Sequence, residues 1–256
     1  MNRPSRRQIL GAMAAGAASR AVTAQAAETR PLPLRLVVLD IGGTIVEERG
    51  DIPAVLGSAF SKRGITVTAA EINEWRGASK REIVRHFVEL RAHAAEAERK
   101  TLIESIYGDF SARIIEAYRT VKPIDGAEDA FEEMRSRGLL LATSTGFDGP
   151  ITASIMRRLG WEHYFTAMIT SDDVVQGRPS PYMLFHAMEA ARVDCVSQVV
   201  AVGDTPLDLQ AANNAGLRGV VGVLSGVGTG KTMEPEPHTD LLNSVAELPA
   251  LLRAKY

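Results

Sequence analysis

Two hydrophobic periodicities alternate along the chain, and the points where one gives way to the other divide it. Leu34-Arg35-Leu36-Val37-Val38-Leu39 is a short, mostly apolar run that ends in Asp40 and then Gly42-Gly43-Thr44. This pattern predicts a buried strand whose carboxyl end opens into a tight loop. From about Pro53 to Arg119 the spacing turns helical. Ile83, Val84, Phe87, Val88 and Leu90 line one stretch, and Leu102, Ile103, Ile106, Phe110, Ile114 and Ile115 line the next. Thr68-Ala69-Ala70-Glu71 has the form of a capping box, in which a hydroxyl and a carboxylate satisfy the first free amides of a helix. No strand pattern interrupts this region, so residues 51–121 predict a helical subdomain.

Beyond Pro123-Ile124-Asp125-Gly126 helices and strands alternate. Helices are predicted at Ala127 to Arg137, Ile151 to Leu159, Tyr182 to Arg192 and Leu209 to Ala215. Between them fall apolar runs at Leu139 to Thr143, Met168 to Thr170 and Val199 to Val202, with Gly219 to Val223 as the last predicted strand. Strands alternating with helices imply a parallel sheet covered on both faces, with right-handed crossovers. The fold class is therefore α/β: a doubly wound parallel-sheet, Rossmann-like core from residues 32–50 and 122–256, with the helices of 51–121 inserted after the first strand.

Composition narrows the function classes. The 256 residues are 45% hydrophobic and 23% charged, which is enough to bury a full core. Twenty-nine basic against 31 acidic residues leave a net charge of −2 and no footprint for nucleic acid. A single cysteine, Cys195, excludes an internal disulfide framework and a cysteine-rich zinc site. The first residues differ from the rest. Ser5-Arg6-Arg7-Gln8-Ile9-Leu10, an Ala- and Gly-rich stretch and Ala24-Gln25-Ala26 describe an export signal of the twin-arginine type over residues 1–26. Its apolar run is too short to span a bilayer. A periplasmic or exported location without a membrane anchor is expected, with a cytoplasmic one as the alternative.

Ligands of a doubly wound sheet bind beyond the carboxyl ends of its strands. Polar residues gather at those ends: Asp40 after the first strand, Ser144-Thr145 after the second, Asp204 and Asp208 after a later one. One Asp after a strand is ordinarily a helix cap. Several converging on one edge are candidates for a site, and the amides of the Gly42-Gly43 loop can face an anion. Carboxylates with little to neutralise them favour a hard divalent cation such as Mg²⁺. A metal beside a carboxylate nucleophile, with the Thr145 hydroxyl and the Arg178 cation to hold oxygens, suits phosphoryl transfer.

Asp40-Ile41-Gly42-Gly43-Thr44, Thr145-Gly146, Gly177-Arg178-Pro179 and Gly203-Asp204-Thr205-Pro206-Leu207-Asp208 resemble, in order and spacing, the four motifs of the haloacid dehalogenase-like hydrolase superfamily. The resemblance covers roughly Leu34 to Leu252 and makes the helical insertion the family's cap. It implies that Asp40 attacks phosphorus and carries an aspartyl-phosphate. It implies Mg²⁺ held by Asp40, the Gly42 carbonyl, Asp204 and Asp208, and phosphoryl oxygens bound by Gly43, Thr44, Thr145, Gly146 and Arg178. The substrate would be a small phosphorylated or phosphonylated compound.

One departure bears on the chemistry. Most phosphatases of the superfamily carry an acid–base Asp two residues after the nucleophile, a function typically worth ~10²–10⁴-fold. Here that residue is Gly42. The phosphonoacetaldehyde hydrolase branch resembles this chain in having a small residue there, and it uses a cap lysine that forms a Schiff base with the substrate aldehyde. Gly77-Ala78-Ser79-Lys80 stands at the corresponding place and makes Lys80 the candidate. Arg178 also matches that branch, whereas Ile83 replaces its His, Phe147 its Tyr and Arg76 its Met. His86 lies six residues from Lys80 and is turned away on a helix.

P–C cleavage of an α-carbonyl phosphonate is the specific expectation. A phosphomonoesterase of the same fold, phosphoglycolate phosphatase-like, is the alternative, and a catalytically weak phosphate-compound-binding protein is an alternative of another class. Ser225 to Thr232 imitates a nucleotide-binding P-loop, but its first Gly is Ser225 and Pro235 and Pro237 follow, so a loop is expected instead. The histidines show no metal-ligand spacing, and Trp75 and Trp161 are expected to pack.

Overall fold

The computed structural model describes residues 33–256. The leader predicted over residues 1–26 lies outside them. Six strands form one sheet: β1 (Leu36–Leu39), β2 (Leu140–Ser144), β3 (Ala167–Ile169), β4 (Val199–Gly203), β5 (Gly219–Val223) and β6 (Asp240–Leu242). Their order is β3-β2-β1-β4-β5-β6, and every pairing is parallel. Leu36 lies opposite both Leu140 and Val199, so β1 is central and its Asp40 end adjoins the ends of β2 and β4.

The apolar residues of β1 serve both faces because successive side chains point to opposite sides. Leu36 and Val38 pack with the face covered by α7 (Tyr182–Ala190) and α8 (Pro206–Asn214). Val37 and Leu39 join a larger core on the other face, with Phe131 of α5 (Ala127–Ser136), Ile151 and Ile155 of α6 (Gly149–Leu159) and Leu252 of α10 (Leu248–Lys255). That core runs on into the helical block: α1 (Asp51–Ser61), α2 (Ala69–Glu74), α3 (Lys80–Arg91) and α4 (Glu96–Ala117). Phe60, Phe87 and Phe110 are buried between these helices, and the Thr68–Glu71 capping box starts α2 as its sequence predicts. The two stretches of chain joining the block to the sheet run side by side. Glu47 N–H donates to the Lys122 carbonyl and Ile124 N–H to the Ile45 carbonyl.

Three elements differ from the sequence expectation. Gly219–Val223 is not the last strand, because β6 adds beside β5. The helix expected from Leu209 begins at Pro206, where Thr205 and Asp208 cap it and the fixed ring of Pro206 suits the first turn. The P-loop-like segment runs into the four-residue helix α9 (Gly230–Met233). Among the described residues no helix is long and apolar enough to cross a membrane.

Candidate active site

The sheet order reverses direction between β1 and β4, and the site lies there. Asp40 follows β1, Asp204 follows β4, and Asp208 sits on the first turn of α8. All three are buried, and one oxygen of each lies within 4.8 Å of the others. Arg178 is their cation. It donates from Nη2 to Asp40 Oδ1 at 2.8 Å, and its Nη1 lies 2.7 Å from Asp208 Oδ1. The Ser144 carbonyl at the end of β2 accepts a further bond from Nη2. Burial opposes the Arg178 charge, but the carboxylates of Asp208 and Asp40 override it and raise its pKa.

Asp204 makes no ion pair with Arg178. Its Oδ2 accepts the Val227 N–H at 2.8 Å. Burial, then the charges of Asp40 and Asp208, push its carboxyl well above the usual range. Asp208 is pushed up to about 6 by burial, against the pull of Arg178. Three clustered carboxylates with one guanidinium between them are short of positive charge. Their oxygens form a hard donor set of the kind that suits Mg²⁺. Asp40, Asp204 and Asp208, with the Gly42 carbonyl from the same loop, are the residues that would hold it.

The loop after β1 uses two of its amides internally. Gly43 N–H donates to the Val46 carbonyl at 2.8 Å and Thr44 N–H to the Ile41 carbonyl at 3.3 Å. These amides close the turn and are not free for a phosphoryl group, and the Thr44 hydroxyl is buried without a partner. The amides of Ile41 and Gly42 donate to no acceptor among the described residues. Gly42 lines the cavity, and a Cβ there would meet only Phe147 Cε2 at 3.8 Å, an ordinary contact.

From the second strand end, Thr145 and Gly146 also line the cavity. The Thr145 hydroxyl oxygen accepts the Phe147 N–H at 3.2 Å, which leaves its proton available to an anion. Gly146 lets the helical block approach. Lys80 N–H donates to its carbonyl at 3.2 Å, and a Cβ on Gly146 would lie 2.5 Å from the Ala78 carbonyl oxygen. This docking carries Lys80, the first residue of α3, into the cavity that holds Asp40. Its ammonium donates to the Ala78 carbonyl at 3.0 Å and lies 5.2 Å from the centre of the Phe147 ring. Burial, then the charge of Arg76, brings the Lys80 pKa down to about 8.

Other predicted residues fall away from the chemistry. Ile83 is core, and His86 stacks on Trp75 with ring centres 4.2 Å apart. Trp161 is buried against Phe131 and donates to Glu128. The Ser225 to Thr232 segment is more than a connecting loop. Ser225 donates to the Gly43 carbonyl at 2.7 Å, Val227 supplies the amide on Asp204, and a Cβ on Gly226 would overlap the Asp204 carboxylate. Sequence reasoning missed Val227 because its backbone acts, not its side chain. It also missed Glu48, which pairs with the buried Arg76. For Thr205, three residues before Asp208, the spacing of a capping box was a usable signal.

A Rossmann-type sheet, an aspartate at the end of its first strand and a buried Asp–Asp–Arg cluster beside it define a class. The chain belongs to the haloacid dehalogenase-like hydrolases: that family's model matches residues 34–216. Within it the similarity runs to phosphonoacetaldehyde hydrolases. One from Bacillus cereus is 30% identical over 208 residues, covering 76% of this chain and 77% of its own. Another, from Nitratidesulfovibrio vulgaris, is 28% identical over 195 residues, covering 72% and 70%. Among solved structures, a phosphonoacetaldehyde hydrolase-like protein from Oleispira antarctica superposes with a TM-score of 0.77 at 21% identity, over 88% of this chain and 93% of that one. A predicted phosphoglycolate phosphatase from Haemophilus somnus gives 0.72 at 18% identity, over 85% and 97%. These two establish a shared fold.

Proposed function

We propose that this hydrolase cleaves the P–C bond of a small phosphonate whose carbonyl group is bonded to the phosphorus-bearing carbon, with Asp40 as nucleophile, Lys80 as imine-forming amine and Mg²⁺ as cofactor. The observation that carries the reading is a buried lysine in the Asp40 cavity, in a chain whose usual acid–base position is Gly42. Breaking a P–C bond needs an electron sink on carbon more than a proton donor for an alkoxide.

The Lys80 amine adds to the carbonyl carbon, and the carbonyl oxygen leaves as water to give a protonated imine. An Asp40 oxygen then attacks phosphorus. The P–C electron pair moves into an enamine C=C bond while the iminium nitrogen accepts its own pair. Water cleaves the aspartyl-phosphate to inorganic phosphate. The enamine takes a solvent proton on carbon, and a second water releases the carbonyl product and free Lys80. Arg178, Thr145 and the Ile41 and Gly42 amides orient the phosphoryl oxygens, and the Phe147 ring faces the Lys80 ammonium. Mg²⁺ bound by the three aspartates would offset the charge gathering between nucleophile and phosphonate.

The test is turnover of phosphonoacetaldehyde with Mg²⁺, following acetaldehyde and phosphate together. Equal release of both, lost in Lys80→Arg, and borohydride trapping of the substrate carbon on Lys80 are expected. Phosphate release from monoesters alone would make the protein a phosphatase of the same fold. Ligand binding without turnover of either would make it a binding protein. Residues 1–26 are proposed, from sequence, to direct twin-arginine export. The expected mature amino terminus lies near Ala27, and an intact Met1 on the cellular protein would refute the assignment.

A further inference from the structure

We infer that the substrate is a 2-oxo acid, a 3-phosphono-2-oxocarboxylate, whose carboxylate is bound by Arg76; this rests on the P–C cleavage reading above. Arg76 lies in the turn between α2 and α3, four residues before Lys80, and lines the same inner cavity as Asp40 and Lys80. It is buried, at 7% exposure, and its one side-chain hydrogen bond among the described residues runs from Nη2 to Glu48. Its Nε and Nη1 groups carry three N–H donors that engage no acceptor there. A guanidinium held by Glu48 through Nη2 alone keeps further N–H bonds free for a planar, two-oxygen anion.

Glu48 is itself nearly buried, with 10% of its side chain exposed, so it orients Arg76. Arg178 does not fill the same role, because it is already held by Asp40 and Asp208. The chemistry sets where the second anion must lie. In a 2-oxo acid the carboxylate is bonded directly to the carbonyl carbon, the atom that the Lys80 amine attacks. The cation reading it has to stand beside Lys80, and Arg76 is close enough for its charge to be felt there. Space points the same way. The inner cavity holds only about 20 Å³, while the neighbouring cleft, lined by Asn73, Leu207 and Gln210, holds about 550 Å³. Arg76 and Thr205 alone line both, so a carboxylate on Arg76 would occupy their junction.

The bonds made and broken are those given above, with a 2-oxo acid and phosphate as products. The reaction that supplies the substrate must therefore form a P–C bond on a 2-oxo acid or oxidise the matching 2-hydroxy or 2-amino phosphonate.

The experiment compares phosphonopyruvate with phosphonoacetaldehyde on the Mg²⁺-loaded enzyme, wild type and Arg76→Met. The wild type is expected to favour phosphonopyruvate in kcat/KM, and Arg76→Met to lower that preference ratio by at least about tenfold. Arg76→Lys, which keeps charge but not the fork, should fall between. A reading independent of variant folding is borohydride trapping on wild-type Lys80, where pyruvate should be captured at least about tenfold more efficiently than its methyl ester. Turnover of the aldehyde with no preference for the oxo acid would overturn the inference and leave the P–C reading standing. Turnover of neither phosphonate would remove both. Equal losses on the two substrates in Arg76→Met, with a displaced pH profile, would make Arg76 a tuner of the lysine and overturn its role as a carboxylate receptor.

Discussion

At the scale of single residues, Asp40 and Lys80 are prepared for different tasks by their partners. Arg178 engages Oδ1 of Asp40, and Oδ2 accepts no hydrogen bond among the described residues, so one oxygen stays free to attack. Asp40→Asn is expected to lower turnover by about 10³-fold or more with the fold kept, as steady-state rates beside circular dichroism will show. Lys80 must be neutral to add to a carbonyl. Burial and the Arg76 charge bring its pKa to about 8, so the neutral fraction rises as pH passes through that value. The rate of the imine-forming step should climb about tenfold between pH 7 and 9 and then level off. A solvent-exposed lysine would give about a hundredfold rise over the same interval, with no plateau. The cluster of Asp40, Asp204 and Asp208 was legible in the sequence because each follows a strand or caps a helix, whereas Lys80 stood out only through the family resemblance. A glycine pair does not reveal which amides a turn consumes internally, and here those of Gly43 and Thr44 close it. The Glu48–Arg76 pair spans 28 positions, and no local pattern announces it.

At the scale of elements, site geometry depends on two close backbone approaches. The turn before α3 rests on Gly146, and a Cβ there would press on the Ala78 carbonyl oxygen. Gly146→Ala should shift Lys80 and lower kcat by about 10²-fold while thermal unfolding changes little, since small misplacements are that costly. The loop after β5 closes on Asp204 at Gly226. Gly226→Ala should displace that carboxylate and weaken Mg²⁺ affinity, read by titration calorimetry on the resting protein. The strands that carry the site were legible because β1, β4 and β5 are continuous apolar runs, as a sheet buried on both faces demands. β6 was not: its three residues are half-buried and begin with an aspartate, so no periodicity marks it. The start of α8 was read three residues late because its first turn carries cap chemistry instead of the apolar stripe.

At the scale of the whole molecule, the helical block and the sheet share one core and close the site between them, leaving the inner cavity at about 20 Å³. Mg²⁺ binding to the folded form alone should stabilise it by about 2.7 kcal/mol at a hundredfold excess over Kd, a rise of roughly 5–10 °C in Tm that Asp204→Asn should abolish. The open space at Gly42 bears on the proposed chemistry. The backbone at this position admits a Cβ without displacing its neighbours. Gly42→Asp would thus install a carboxyl two residues after the proposed nucleophile, with its Cβ at ordinary contact distance from Phe147. Under the proposed function, the residue at this one position separates a site with a proton donor for a P–O bond from a site without one, and this chain carries the glycine.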